Sequence, residues 1–200
     1  MADTLPLTEH FTASDEPELV RSPAARYVFV TGAGAPGDDE YYRKKALIVD
    51  VARALAPSSS PGASEPVAEG QYWYPAGSTP VGIADFYSVN PVSALHYRLM
   101  AAVGATTTDE DIAAARLAAE SPSDTAQDRL ELFDLPEETT VQVMHHGPFA
   151  GELATLDRLG RFAERTGMAR NGPHRELYLD AYTSTTPQDT LRTILRDPVA

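Results

Sequence analysis

One pattern occurs twice in this 200-residue chain, and it constrains the fold more than any other feature. VFVTGAGAPG (28–37) leads into a long helical segment, then QYWYPA (71–76), then ALHYRLM (94–100). VQVMHHGPF (141–149) leads into a second helical segment, then ELYLDA (176–181), then LRTILR (191–196). Each copy reads strand, glycine turn with a proline, helix, strand, strand. An internal repeat of this kind predicts two similar units with a groove between them. The expected fold is α+β, with pseudo-twofold symmetry relating repeat 1 (about 26–104) to repeat 2 (about 128–200). Aligned on the middle strands, Gln71 matches Glu176 and Trp73 matches Tyr178, which puts a polar–aromatic pair on each wall of the groove.

Local patterns support the same elements. RYVFVT (26–31) is aromatic and β-branched and ends in glycines, as a strand does. Residues 38–56 read as a helix in which Tyr42, Ala46, Val49 and Arg53 lie on neighbouring turns, and Asp38, Asp39 and Glu40 suit its positive N-terminal end. PSSSPGASEPVAEG (57–70) is a loop. Thr107 or Thr108 caps a helix through about 120, and another loop follows. LELF (130–133), TTVQVMHH (139–146), RELYLDA (175–181) and LRTILRDPV (191–199) read as strands. Leu153, Leu156, Leu159 and Phe162 recur at helical spacing within 151–166. Residues 1–24 read as a flexible polar arm, leaving 25–200 as one domain.

Composition removes several function classes. The net charge is −13 with only 16 basic residues, which are scattered, so no surface suits nucleic acid. Without cysteine there is neither a disulfide framework nor thiolate chemistry. No run of 18 apolar residues is present to span a membrane, and the N-terminus lacks the pattern of a secretory signal, so the expected location is the cytoplasm. Gly32 to Gly37 spells G-x-G-x-x-G, but Asp38, Asp39 and Glu40 stand where a pyrophosphate would sit, which argues against a dinucleotide.

A few residues have chemistry that their positions do not require. Glu176 alternates with Leu177 and Leu179, so it shares a strand face with Tyr178. In an apolar cleft such a carboxylate holds a cation or acts as a general base, and burial raises its pKa; on an open strand it is an arginine partner. Tyr72, Trp73 and Tyr74 cannot share one face, so one set is core and the other lines the cleft, where flat rings stack on planar ligands. His145 and His146 are adjacent on a strand and point to opposite faces, which speaks against a shared metal ion. His145 is the hydrogen-bonding partner within the fold, and His146 the one that faces the cleft. Glu152 opens a helix, a position that acids favour for the helix dipole alone.

The second half resembles GyrI-like small-molecule-binding proteins. The resemblance rests on His145-x-Gly147-Pro148 plus an aromatic, Gly172-x-x-x-Glu176-x-Tyr178-Leu179, and Thr185-x-Pro187 followed by Leu191-x-Thr193-x-Leu195-x-x-Pro198-Val199. RYVFVTGAG with its helix resembles the first half of the stand-alone members, so the likeness covers about 26–200, weakly over 77–125. Phe149 stands where the family's usual tyrosine follows Gly-Pro. The resemblance implies two strand-helix-strand-strand (SHS2-type) units around a ligand cleft.

It also implies a function. Related domains bind lipophilic, often cationic drugs. A stand-alone subgroup resembles this chain more closely and hydrolyses the cyclopropane ring of DNA-alkylating cyclopropanoids, which detoxifies them. On that likeness the substrate is a planar hydrophobic alkylator, Glu176 and Glu152 position and deprotonate water, Tyr178 donates to the dienone oxygen, and Trp73, Tyr178 and Phe149 clamp the rings, with Tyr72, Tyr74 and His146 as further ligand contacts. No metal or organic cofactor enters this chemistry. The alternative is a non-catalytic binder or sensor of lipophilic or cationic molecules; a protein partner in the groove is the least favoured occupant.

Overall fold

A computed structural model describes residues 5–55, 65–119 and 128–200. Residues 1–4 of the expected arm, 57–64 of the first expected loop and 120–127 around the second lie outside the described residues.

Eight strands are described: β1 (Glu18–Ser22), β2 (Ala25–Ala33), β3 (Ala68–Trp73), β4 (His96–Val103), β5 (Glu131–Leu135), β6 (Glu138–His146), β7 (His174–Tyr178) and β8 (Arg192–Pro198). Three helices join them: α1 (Asp39–Ala54), α2 (Asp109–Ala118) and α3 (Glu152–Arg165). The strands form one sheet in the order β1-β6-β8-β7-β3-β4-β2-β5, with every neighbouring pair antiparallel. The fold is α+β. From the central β3–β7 pair outwards, one half runs β3, β4, β2 and the other β7, β8, β6.

The helices form where the sequence signals placed them. Thr108 and Asp111 make a reciprocal capping box at α2, which satisfies two backbone donors that the first turn leaves unpaired. Glu40 and Lys44 pair at 2.6 Å one turn apart on α1. Leu156, Leu159 and Ala163 form the buried stripe of α3. Val28, Val30, Leu99 and Ala101 from the sheet pack with Leu47, Ile48, Val51, Leu156 and Leu159 from the helices into the main core. On the other sheet face Tyr27, Met100, Ala102 and Leu135 form a smaller cluster.

Three expectations are corrected. Residues 5–24 do not form a loose arm. Leu7 bridges to Arg21, β1 pairs with β6, the Ser14 carbonyl accepts from Met144 N–H at 2.7 Å, and His10 is buried against the second face. There His10 Nε2 lies 2.7 Å from Glu69 Oε1, and Arg175 Nε donates to Glu69 Oε2 at 3.0 Å. A buried charge of this kind needs partners, and the N-terminal segment supplies one. The expected strand at 71–76 lies at 68–73, so the loop before it ends sooner. Gln71 and Trp73 were expected on a cleft wall together with Glu176 and Tyr178, but Gly70 is opposite Glu176, and Gln71 is opposite Arg175. Successive side chains of a strand point to opposite faces, so Gln71 and Trp73 face away from Glu176.

Candidate functional site

β7 is buried along its length, and the pairing with β3 puts His174, Glu176 and Tyr178 on one face with Tyr72 and Gly70. That face looks towards the helices. Gly70 permits the arrangement, because the Tyr72 ring lies where a side chain on residue 70 would start. A cavity of about 450 Å³ opens in front of Glu176. Tyr41 and Tyr42 of α1, Tyr87 from the β3–β4 connection, Phe149 and Glu152 at the start of α3, and Tyr182 from the β7–β8 loop complete its walls. Pro36 and Gly37, from the G-x-G-x-x-G stretch, also line it, so that stretch borders this cavity.

Several groups converge on the Glu176 carboxyl. Tyr87 donates to Oε1 at 2.5 Å and Tyr178 donates to Oε2 at 2.6 Å. His174 Nε2 lies 3.3 Å from Oε1, and His174 Nδ1 lies 3.0 Å from Asp197 Oδ2 behind it. Tyr41 donates to the Tyr178 hydroxyl at 3.0 Å, and Tyr72 contacts both phenols. Burial alone would raise the Glu176 pKa; the contact with His174 and the hydrogen bonds from Tyr178 and Tyr87 outweigh it and hold it below the ordinary value. Burial would lower His174, but Asp197 and Glu176 push it up to about 10, so it stands as a cation between two carboxylates. Burial raises Tyr41, Tyr72, Tyr87, Tyr178 and Tyr182 well above 10, which keeps them neutral donors.

Glu152 behaves in the opposite way. It is 6% exposed, and its Oε1 has no hydrogen-bond partner among the described residues. Burial raises its pKa well above the ordinary value, and the negative Glu176 adds to the rise. The surroundings therefore push two carboxyl groups of one cavity in opposite directions, Glu176 towards the ionised form and Glu152 towards the protonated one. Such a separation of two like groups by their surroundings lets one accept a proton while the other gives one up.

The sequence-derived residues divide accordingly. Glu152, Glu176, Tyr178 and Phe149 line one cavity. Tyr72 stands one layer behind, with its hydroxyl against those of Tyr41 and Tyr178. Tyr74 does not line it; its hydroxyl bonds the Asn90 carbonyl at 3.3 Å. Trp73 sits edge-on to His96 on the other sheet face. His146 is exposed and bonds Asp15 at 2.7 Å, because β6 turns His145 inward, where its Nδ1 meets Thr155 Oγ1 at 2.9 Å. Trp73 is absent from the cavity lining, whose aromatics include Tyr41, Tyr87 and Tyr182, none of which the sequence singled out. Tyr41 had a signal, since it recurs with Lys44, Lys45 and Ile48 on the buried side of α1.

Several solved structures share this fold. An uncharacterised conserved protein from Listeria innocua aligns with TM-score 0.73 at 23% identity over 95% of each chain. A hydrolase from the same organism aligns with TM-score 0.70 at 22% identity, over 95% of this chain and 94% of that one. SAV2435, solved bound to tetraphenylphosphonium, aligns with TM-score 0.54 at 13% identity over 92% and 94%. No curated protein matches the chain at the sequence level. The sequence profile of the GyrI-like small-molecule-binding domain matches residues 15–199, a span that takes in β1, and the chain therefore belongs to the GyrI-like family.

Proposed function

We propose that the protein is a hydrolase that opens the cyclopropane ring of planar hydrophobic cyclopropanoid alkylators by adding water. The observation that carries this reading is the pair of carboxyl groups in one aromatic cavity, whose surroundings favour the ionised form of Glu176 and the protonated form of Glu152. The flat ring system lies between the tyrosines and Phe149, with a water beside Glu176. Glu176 takes a proton from the water while its oxygen bonds to the less hindered cyclopropane carbon. The ring C–C bond breaks, and its electron pair passes through the dienone to the carbonyl oxygen. That oxygen takes the proton of Glu152 and becomes a phenol. A proton passing from Glu176 back to Glu152 through solvent resets the pair. Tyr178 already donates to Glu176, so it orients the base, and Glu152, expected from the resemblance to help deprotonate water, takes instead the donor role expected of Tyr178. Two neighbours in fold, both from Listeria innocua, carry the name hydrolase, which agrees with an enzymatic reading. Such an enzyme would detoxify the alkylator for its host. We also read the two strand-helix-strand-strand halves as copies of one unit, since the strand order runs alike from the centre outwards.

A second reading is capture of a lipophilic cation. An anionic Glu176 among aromatic rings suits that ligand, and SAV2435 has been seen with one. A single experiment separates the two. The protein at a small fraction of the toxin concentration is incubated with a cyclopropanoid alkylator, and the products are followed by chromatography and mass spectrometry. Many turnovers with a mass gain of one water support the hydrolase. Depletion of one equivalent supports capture, and an unchanged toxin removes the enzymatic reading.

A further inference from the structure

The tyrosine wall of the candidate site has a second side. A cavity of about 810 Å³ lies behind it, and Tyr42, Tyr178 and Tyr182 line both. Its other walls include Val49 and Ala46 of α1 and Val67 before β3. The residues that recur on one side of α1 in the sequence, Tyr42, Ala46, Val49 and Arg53, all border this space.

Lys45 lines it too, and its situation is unusual. The residue is 6% exposed. Its ammonium donates to the Tyr182 carbonyl at 2.8 Å and lies over the Tyr182 ring, with the Tyr178 ring centroid 5.5 Å away. Among the described residues no carboxylate reaches it, whereas the adjacent Lys44 has Glu40 at 2.6 Å and Asp128 at 3.7 Å. The acids at the cavity rim are already engaged: Asp50 and Glu65 meet Arg53, and Asp180 meets Arg192. A buried cation without a counter-charge is costly, and an incoming anion removes that cost.

We propose that this second cavity binds a flat organic monoanion, an aromatic carboxylate, with the carboxylate on Lys45 and the ring against Tyr42 and Tyr182. The two cavities then sort ligands by charge, because the ionised Glu176 repels from the first the anion that Lys45 draws into the second. This site stands independently of the proposed hydrolysis. Burial lowers the Lys45 pKa to about 7. The phenols facing it, Tyr42, Tyr178 and Tyr182, are raised and stay neutral, while Asp180 is held low by Arg192. Protonated Lys45 is the binding form, so affinity falls as the amine deprotonates.

Calorimetric titration of the full chain with 2-naphthoate and with its neutral isostere 2-naphthamide tests the site. At pH 6 the carboxylate binds at least about tenfold tighter than the amide, as a charge-assisted contact implies. That advantage falls about tenfold by pH 8, with protons taken up on binding, since the amine titrates near 7. Lys45→Met removes the advantage and Lys45→Arg keeps it. Equal affinities for the two ligands in the unaltered protein would overturn the proposal, whatever the variants do. So would a carboxylate preference that survives in Lys45→Met.

Discussion

Tyr87, Tyr178 and His174 all reach Glu176, and none of them hydrogen-bonds the Oε1 of Glu152. The same burial therefore has opposite outcomes at two glutamates in one cavity. Glu176→Gln keeps the shape and removes the base; turnover should fall about 10²–10⁴-fold while a neutral flat ligand still binds, measured by single-turnover kinetics and by titration. Glu152→Gln removes the proton donor. Its turnover should fall by about 10²-fold or more, and the alkaline limb of its pH–rate profile should vanish. If the proposed mechanism holds, the acid limb of the unaltered protein's profile should lie below the ordinary carboxylate range, where Glu176 protonates, and the alkaline limb above it, where Glu152 ionises. The sequence made both glutamates visible through the motifs around them. It left their opposite shifts hidden, because these depend on burial and on how the fold brings Tyr87 to Glu176 and Asp197 to His174.

The β3–β7 pair sets which side chains face the cavity. Gly70 is where the Tyr72 ring crosses the strand towards Tyr178. Gly70→Ala should displace that ring, cost about 1–3 kcal/mol in chemical unfolding, and lower turnover by loosening the phenol that holds Glu176. Long elements were legible, because α1, α3, β2 and β6 carry strong periodicity and clear turn residues. β1 was not: ELVRS is short, follows a polar stretch, and becomes a strand only by pairing with β6. Which face of β3 meets the cavity was misread, since Tyr72-Trp73-Tyr74 offers aromatics to both faces and Gly70, which lies opposite Glu176, carries no side chain. Tyr87 and Tyr182 lie outside regular elements, where no periodicity marks a residue as facing inward.

One sheet runs through both halves, with the helices on one face and the N-terminal segment against the other. His10 closes a buried set with Glu69, Tyr27 and Arg175 on that second face. His10→Ala should cost about 1–3 kcal/mol by urea unfolding, as a buried acceptor loses a partner, and should leave the pH–rate profile unchanged. On the cavity side, His174 carries a folded pKa of about 10 against an ordinary 6.5. Its ion pairs with Asp197 and Glu176 thus stabilise the fold fully below pH 6.5, and that contribution is lost as the pH rises through 10. Urea midpoints should decline over that window, and the decline should be shallower in His174→Asn. The most direct test of the whole account is the charge on each glutamate at neutral pH, read by infrared difference spectra of the intact protein against Glu152→Gln and Glu176→Gln. A protonated-carboxyl band lost only in the first and a carboxylate band lost only in the second are expected; ionised Glu152, or protonated Glu176, would contradict it.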